Sequence, residues 1–230
     1  MNRERKAMSQ LKAVFFDMDG LLVNSEIHYL QGWQAAFSQQ GIEVPYSTLL
    51  TWRGKSTVGK NEELIHLSGG KSQALNIREH REQYLLQILA DNQIQLKKGA
   101  KELLDYLANQ HLYLGLASSS PNDRGTKFLE AFNLHNYFNQ VLFANDVDHT
   151  KPDPEMYLKH LKFAGCQADE AMVIEDSRSG LLAANRAQIS HIMVPDDEFE
   201  DDIFIEDLNH LIMKADDLLE VKDYLRREYF

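Results

Sequence analysis

Two carboxylates, Asp17 and Asp19, follow directly on a short apolar run, Ala13–Phe16, and Gly20 comes next. In extended chain, positions i and i+2 point the same way, so both acids can address one site at a strand's carboxyl end. That edge is where open α/β sheets bind ligands. Like charges held close repel unless a cation or a proton sits between them. The pair therefore suits a metal ion, or a nucleophile beside an acid/base partner. Taken alone it suits a simple turn equally well, since Asp and Gly favour turns.

Three later stretches carry the same kind of chemistry. The apolar run 112–117 ends in Ser118, Ser119 and Ser120. Hydroxyls and backbone N–H groups at a strand end, just before a helix, suit a phosphate oxygen, although they would also serve to cap that helix. Lys151 precedes Pro152, Asp153 and Pro154, and a proline in the first turn is a helix-start signal that fixes where the lysine lies. Another apolar run, 171–174, ends in Glu175 and Asp176. Acids on the ends of two different strands are hard to explain as helix caps alone. Several oxygens at one edge describe a site for Mg²⁺, with substrate and water completing the shell.

These residues need elements to position them. Apolar residues at Ile27, Leu30, Trp33, Ala36 and Phe37 have helical spacing, and the spacing predicts a helix over 27–40 that ends at Gly41. Residues 46–70 read as short helices broken at Arg53 and Gly54. Residues 73–90 read as a longer helix with Leu75, Ile77, Tyr84, Leu85, Ile88 and Leu89 on its buried side and His80 facing water. Between Glu26 and about residue 92 no strand is expected. From Gly99 onward helices and strands alternate: helices over 100–110, 123–132, 154–164, 179–187 and 215–225, strands over 112–117, 141–144, 171–174 and 191–194, and a short apolar run over 211–213. Such alternation predicts an α/β fold, a doubly wound, mostly parallel sheet with right-handed crossovers and a Rossmann-like core. An all-helical block is inserted after its first strand. The expected division is a disordered leader (1–11), a core formed by 12–25 and 96–230, and a helical cap (26–95). A block leaving the chain beside the acid pair can close over it and exclude water.

Composition narrows the function classes. The 230 residues suit one domain or a core with an insertion, and the single cysteine, Cys166, excludes an internal disulfide and fits a reducing compartment. Cys166 has no basic cluster around it in sequence and reads as incidental. The amino terminus lacks the apolar core of a signal peptide, and no run approaches the about 20 apolar residues a membrane span needs. The expectation is a cytoplasmic protein, monomeric, that binds neither nucleic acid nor membrane, since a net charge of −11 opposes both. The same charge obliges any site for an anionic ligand to be locally positive. The acidic run 196–202 reads as a solvated loop.

Asp17, Met18, Asp19 and Gly20 after an apolar strand, with Ser118, Lys151 before Pro152, and the Glu175–Asp176 pair in that order, resemble the motifs of the haloacid dehalogenase (HAD)-like hydrolase superfamily. The likeness is to its β-phosphoglucomutase-like phosphatase branch, with a small helical cap, and runs from about residue 12 to 225. The resemblance implies a Mg²⁺-dependent phosphatase acting on small phosphomonoesters such as sugar phosphates through an aspartyl-phosphate. It implies catalytic Asp17 as nucleophile, Asp19 as acid/base, Ser118 and Lys151. Metal binding would fall to Asp17, Asp19, Glu175 and Asp176, and phosphate binding to Met18, Asp19, Ser118, Ser119 and Lys151. Glu26, His28, Arg53 and Lys55 are candidates for substrate contacts from the cap. The branch also holds mutases, which place a His twelve residues after the nucleophile and an Arg in the cap loop. Here Tyr29 and Thr57 stand there, with His28 and Arg53 close by, and Asn24 replaces a hinge Asp; these departures favour hydrolysis. A β-phosphoglucomutase-type mutase is the alternative, and a non-catalytic binding protein on the same fold is a further one.

Overall fold

The computed structural model describes residues 10–52, 57–196 and 207–230. Six parallel strands form one sheet in the order β3-β2-β1-β4-β5-β6: β1 (Ala13–Phe16), β2 (Tyr113–Ala117), β3 (Gln140–Leu142), β4 (Ala171–Glu175), β5 (Ser190–Met193) and β6 (Leu211–Lys214). The chain walks outward from β1 to β3, then crosses back to the other side of β1 and walks out to β6. The reversal leaves β1, β2 and β4 adjacent at the centre, which is where a doubly wound sheet opens a crevice. The register supplies the rest. Phe16 lies beside Leu116 on one side and Ile174 on the other, so the next residue of each strand brings Asp17 level with Ala117 and Glu175.

Successive β1 residues point into opposite layers, as strand geometry requires. Val14 and Phe16 join a core that includes Leu103, Leu104 and Leu107 of α5 (Ala100–Ala108), Phe128 and Leu129 of α6 (Asn122–Ala131) and Val221 and Leu225 of α9 (Leu218–Tyr229). Ala13 and Phe15 join a second core with Met156 and Tyr157 of α7 (Glu155–Ala164) and Ala183 and Ala184 of α8 (Arg178–Arg186). Burial on both faces accounts for the unbroken apolar character of the strands. Cys166 is buried in the second core, where burial pushes its thiol up.

Between β1 and α5 the helices are α1 (Ser25–Gln39), α2 (Tyr46–Leu50), α3 (Thr57–Ser68) and α4 (Lys71–Ala90). They enclose their own apolar cluster, with Trp33, Phe37, Leu49, Trp52, Leu64 and Ile77 at its centre. Entry and exit of the block are tied together by an antiparallel bridge between Val23 and Leu96. Asn24 reinforces it: Gln95 N donates to Asn24 Oδ1 at 2.7 Å, and Asn24 N donates to Gln95 O at 3.0 Å.

Several expectations need correction. Leu75 is 67% exposed, while Arg81, one turn and a half further along α4, is buried. His80 is half-buried, with Gln40 Nε2 3.3 Å from its Nδ1. The last helix begins three residues later than its apolar spacing suggests, because the Asp217 side chain accepts from Leu219 N and Glu220 N and so sets the start. Asp196, read as the beginning of a solvated loop, is buried and pairs with Lys97 at 2.8 Å. The rest of that acidic run, and residues 1–9, lie outside the described residues. No helix of the described residues is long and apolar enough to cross a membrane.

Candidate active site

The carboxyl ends of β1 and β4 deliver three buried acids to one point. Asp17, Glu175 and Asp176 each offer an oxygen, and these atoms lie within 4.8 Å of one another. Lys151, from the loop before α7, reaches under them. Its Nζ donates to Asp17 Oδ1 at 2.5 Å, to Glu175 Oε1 at 2.6 Å and to Ala117 O at 2.6 Å. Tyr157 OH donates to the same Glu175 oxygen at 2.8 Å, and Ser177 Oγ donates to Glu175 Oε2 at 3.1 Å. Burial would discharge Lys151, but the attraction of Asp17 and Glu175 outweighs it and raises the ammonium well above its ordinary range.

One ammonium does not balance three carboxylates. Burial first, and then the neighbouring acids, push Asp17 and Asp176 well above the carboxylate range despite Lys151. Asp176 Oδ1 is buried without a hydrogen-bond partner. Buried charge is ordinarily paired or bound to metal, and hard oxygen donors with an unused lone pair suit a divalent ion such as Mg²⁺. The residues present therefore fit a cation held by Asp17, Asp176 and Glu175.

Asp19 faces elsewhere. Its Oδ1 accepts from Ser25 Oγ at 2.7 Å and from Tyr29 OH at 2.9 Å, and its Oδ2 from Ser118 Oγ at 3.0 Å and Ser120 Oγ at 2.6 Å. Its carboxylate is outside the three-acid group. Ser118 is fully buried with its hydroxyl committed to Asp19, whereas Ser119 is exposed and lines the cavity.

That cavity, about 210 Å³, runs from Asp17, Asp19, Lys151 and Asp176 up to the helical block, where Glu26, Tyr29 and Trp33 of α1, Lys60 of α3 and Arg78, Arg81 and Glu82 of α4 line it. Arg124 of α6 joins the two halves: it donates to Glu82 Oε1 at 2.8 Å and to Ser120 Oγ at 3.0 Å, with its guanidinium 4.7 Å from the centre of the Tyr29 ring. Of the residues expected to reach the substrate from the cap, Glu26 lines the cavity. His28 does not; its Nδ1 sits 3.2 Å from Gln31 Oε1. Arg53 and Lys55 lie outside the described residues. Ser120, Tyr29, Arg81 and Arg124 were not singled out from the sequence. Ser120 was in plain sight in the serine run, and Tyr29 at the position compared with a His; nothing in a charged helical residue marks Arg81 or Arg124 as inward-facing.

The site thus lies at the central strand ends of a doubly wound parallel sheet, an acid cluster and a lysine with a helical insertion above them. A family model described as haloacid dehalogenase-like hydrolase matches residues 14–194, and the chain belongs to that family. It is 30% identical over 188 residues to a phosphorylated carbohydrates phosphatase of Thermotoga maritima, covering 79% of this chain and 84% of that one. The crystal structure of a hydrolase from Pseudomonas syringae superposes with a TM-score of 0.78 at 25% identity, over 95% of this chain and 100% of the other. A β-phosphoglucomutase from Clostridium difficile shares the fold, with a TM-score of 0.75 at 19% identity over 96% and 97% of the two chains.

Proposed function

We propose that this enzyme hydrolyses small phosphomonoesters, phosphorylated sugars and polyols foremost, with Mg²⁺ and through an aspartyl-phosphate. The observation that carries the reading is Asp17: a carboxylate at the end of β1, gripped by Lys151 and within 4.8 Å of Glu175 and Asp176. Asp17, Asp176 and Glu175 would hold the ion, which when bound supplies positive charge to the phosphoryl oxygens. A carboxylate oxygen of Asp17 attacks phosphorus; the O–P bond to Asp17 forms as the bond to the leaving oxygen breaks. Asp19 gives that oxygen its proton. Asp19 then takes a proton from the water that attacks the same phosphorus, releasing inorganic phosphate and restoring Asp17. Lys151 offsets the charge gathering at Asp17 and the transferred group, which is where most of the rate gain in phosphoryl transfer arises. Met18 has no side-chain hydrogen-bond donor, so its part in phosphate binding falls to its backbone N–H. Ser119 borders the same space.

The helical block, taken as 26–95 with the core as 12–25 and 96–230, serves as the lid over this site. The cavity supports that role, because its walls come from both parts. Hydrolysis rather than mutase chemistry is favoured by Tyr29, which occupies the compared position with its hydroxyl on Asp19, and by His28, which does not border the cavity. The similarity to the Thermotoga maritima enzyme points to carbohydrate esters.

The test is phosphate release from a panel of sugar, polyol and nucleoside monophosphates, with Mg²⁺ and with chelator, using Asp17→Asn as control. Release that depends on Mg²⁺ and vanishes in Asp17→Asn is expected. Activity surviving in Asp17→Asn would remove the nucleophile from this mechanism.

A further inference from the structure

Four hydroxyls point at Asp19, and two of them share one support. Ser25 opens α1 and Ser118 follows β2, where its Oγ accepts from Ser120 N at 3.0 Å. The other two, Ser120 and Tyr29, both lean on Arg124, which is buried. Its Nη2 donates to Ser120 Oγ at 3.0 Å. With a charged donor on that oxygen, the serine's own proton is left for Asp19, 2.6 Å away. The same guanidinium lies 4.7 Å from the centre of the Tyr29 ring, a contact that fixes the ring, and the phenol hydroxyl meets Asp19 at 2.9 Å. Arg124 is itself anchored from the helical block: its Nη1 donates to Glu82 Oε1 of α4 at 2.8 Å. Arg81 donates to the same oxygen, and its guanidinium carbon is 5.7 Å from the Tyr29 ring. Side chains on α1, α4 and α6 thus converge on the surroundings of one carboxylate.

We propose that Arg124 is a positioning residue for proton transfer at Asp19, aiming the Ser120 and Tyr29 hydroxyls at that carboxylate while Glu82 holds Arg124 in place. The proposal rests on the phosphomonoester reading, in which Asp19 protonates the leaving oxygen, and goes beyond it by assigning that step two charged residues that act through others. Without Arg124 the Ser120 hydroxyl is free to turn its proton elsewhere and the Tyr29 ring loses its stacking partner, so Asp19 loses two of the four bonds that orient it. The damage falls on leaving groups that need a proton and spares those that do not.

The experiment measures kcat/KM for p-nitrophenyl phosphate divided by kcat/KM for a primary alkyl phosphate, a ratio taken within one preparation and so insensitive to the folded fraction. Arg124→Gln is expected to raise it about tenfold, the usual worth of a charged hydrogen bond, and Glu82→Gln to raise it about threefold. Arg124→Lys keeps the charge but neither the fork nor the flat stack, and stays near Arg124→Gln. In a Ser120→Ala background the change Arg124→Gln adds less than about threefold, because the path through Ser120 is already gone. A loss of fold or of substrate grip lowers both esters alike and leaves the ratio where it was. A ratio unmoved in Arg124→Gln or in Glu82→Gln, or effects of Arg124→Gln and Ser120→Ala that multiply in full, overturns the proposal and leaves the phosphatase reading standing. Should Arg124→Gln fail to fold, Glu82→Gln, on a half-buried side chain, decides by the same ratio. If the wild type hydrolyses neither ester, the phosphatase reading fails instead, and a crystal structure of Arg124→Gln decides the positioning: Ser120 Oγ and Tyr29 OH displaced from Asp19 uphold it, and both still within about 3.2 Å refute it.

Discussion

Gly20 occupies a place that no side chain could. A Cβ there would lie 2.3 Å from Asp176 Oδ2, and the backbone has φ +86°, a region other residues rarely adopt. Gly20→Ala is therefore expected to displace Asp176 and raise the Mg²⁺ concentration for half-maximal activity by about tenfold or more, as losses around metal ligands commonly do; titration of activity against Mg²⁺ reads it. Ser120 is a second case. Its hydroxyl accepts from Arg124 and so has its own proton for Asp19. Ser120→Ala should lower kcat/KM for an alkyl phosphate by about tenfold, and far less for p-nitrophenyl phosphate, whose leaving group needs no proton. Equal losses on both would dissociate Ser120 from the proton transfer. The acids and the lysine at this scale were legible because each stands just after an apolar strand or before a proline. Arg81 and Arg124 were not, because a charged residue on an amphipathic helix has the same local pattern whether it faces water or a cavity.

At the scale of the element, α4 is the instructive case. Its apolar residues suggest a buried side that includes both Leu75 and Ile77, yet Leu75 is 67% exposed and Ile77 fully buried. Two residues apart on a helix lie on different faces, so only one could be right, and the aromatic cluster of α1 and α2 selects Ile77. Leu75→Glu should change stability by less than about 0.5 kcal/mol, as surface changes do, while Ile77→Ala should cost about 2–5 kcal/mol; urea denaturation separates them. The core strands were more legible than the helical block, because a strand covered on both faces is an unbroken apolar run, whereas the helices here pack through scattered aromatic and charged side chains. Strand order was beyond reading: six short apolar runs carry no mark of which neighbour each will take.

For the molecule as a whole, acid lability follows from a buried imidazole. His160, on α7, lies under Gly115 of β2, stacks on Phe15 at 5.1 Å between ring centroids and places Nε2 2.9 Å from Leu116 O. Burial draws it down from 6.5 to about 4. Between those values the unfolded chain binds a proton that the folded chain refuses. This contribution to stability is therefore intact above the unfolded value and is lost as pH falls through the interval, by up to about 3 kcal/mol. His191, buried within β5 and also lowered by burial, adds in the same direction. The Tm should fall between about pH 7 and about pH 4.5, and fall less in His160→Gln; an unchanged slope in that variant would place the lability elsewhere.

The short ladder joining Val23 to Leu96 and Asn24 to Gln95 means that the polypeptide leaves the sheet and returns to it at one spot. Topologically, everything between is a detour, and the sheet is continuous without it. The helices between are not held by that ladder alone: Leu85 and Ile88 of α4 belong to the same apolar core as Val14 and Phe16, and Arg124 of α6 donates to Glu82 of α4. Asn24 of that ladder directly precedes Ser25, whose hydroxyl donates to Asp19 at 2.7 Å, so the spot where the chain leaves the sheet also fixes a partner of Asp19.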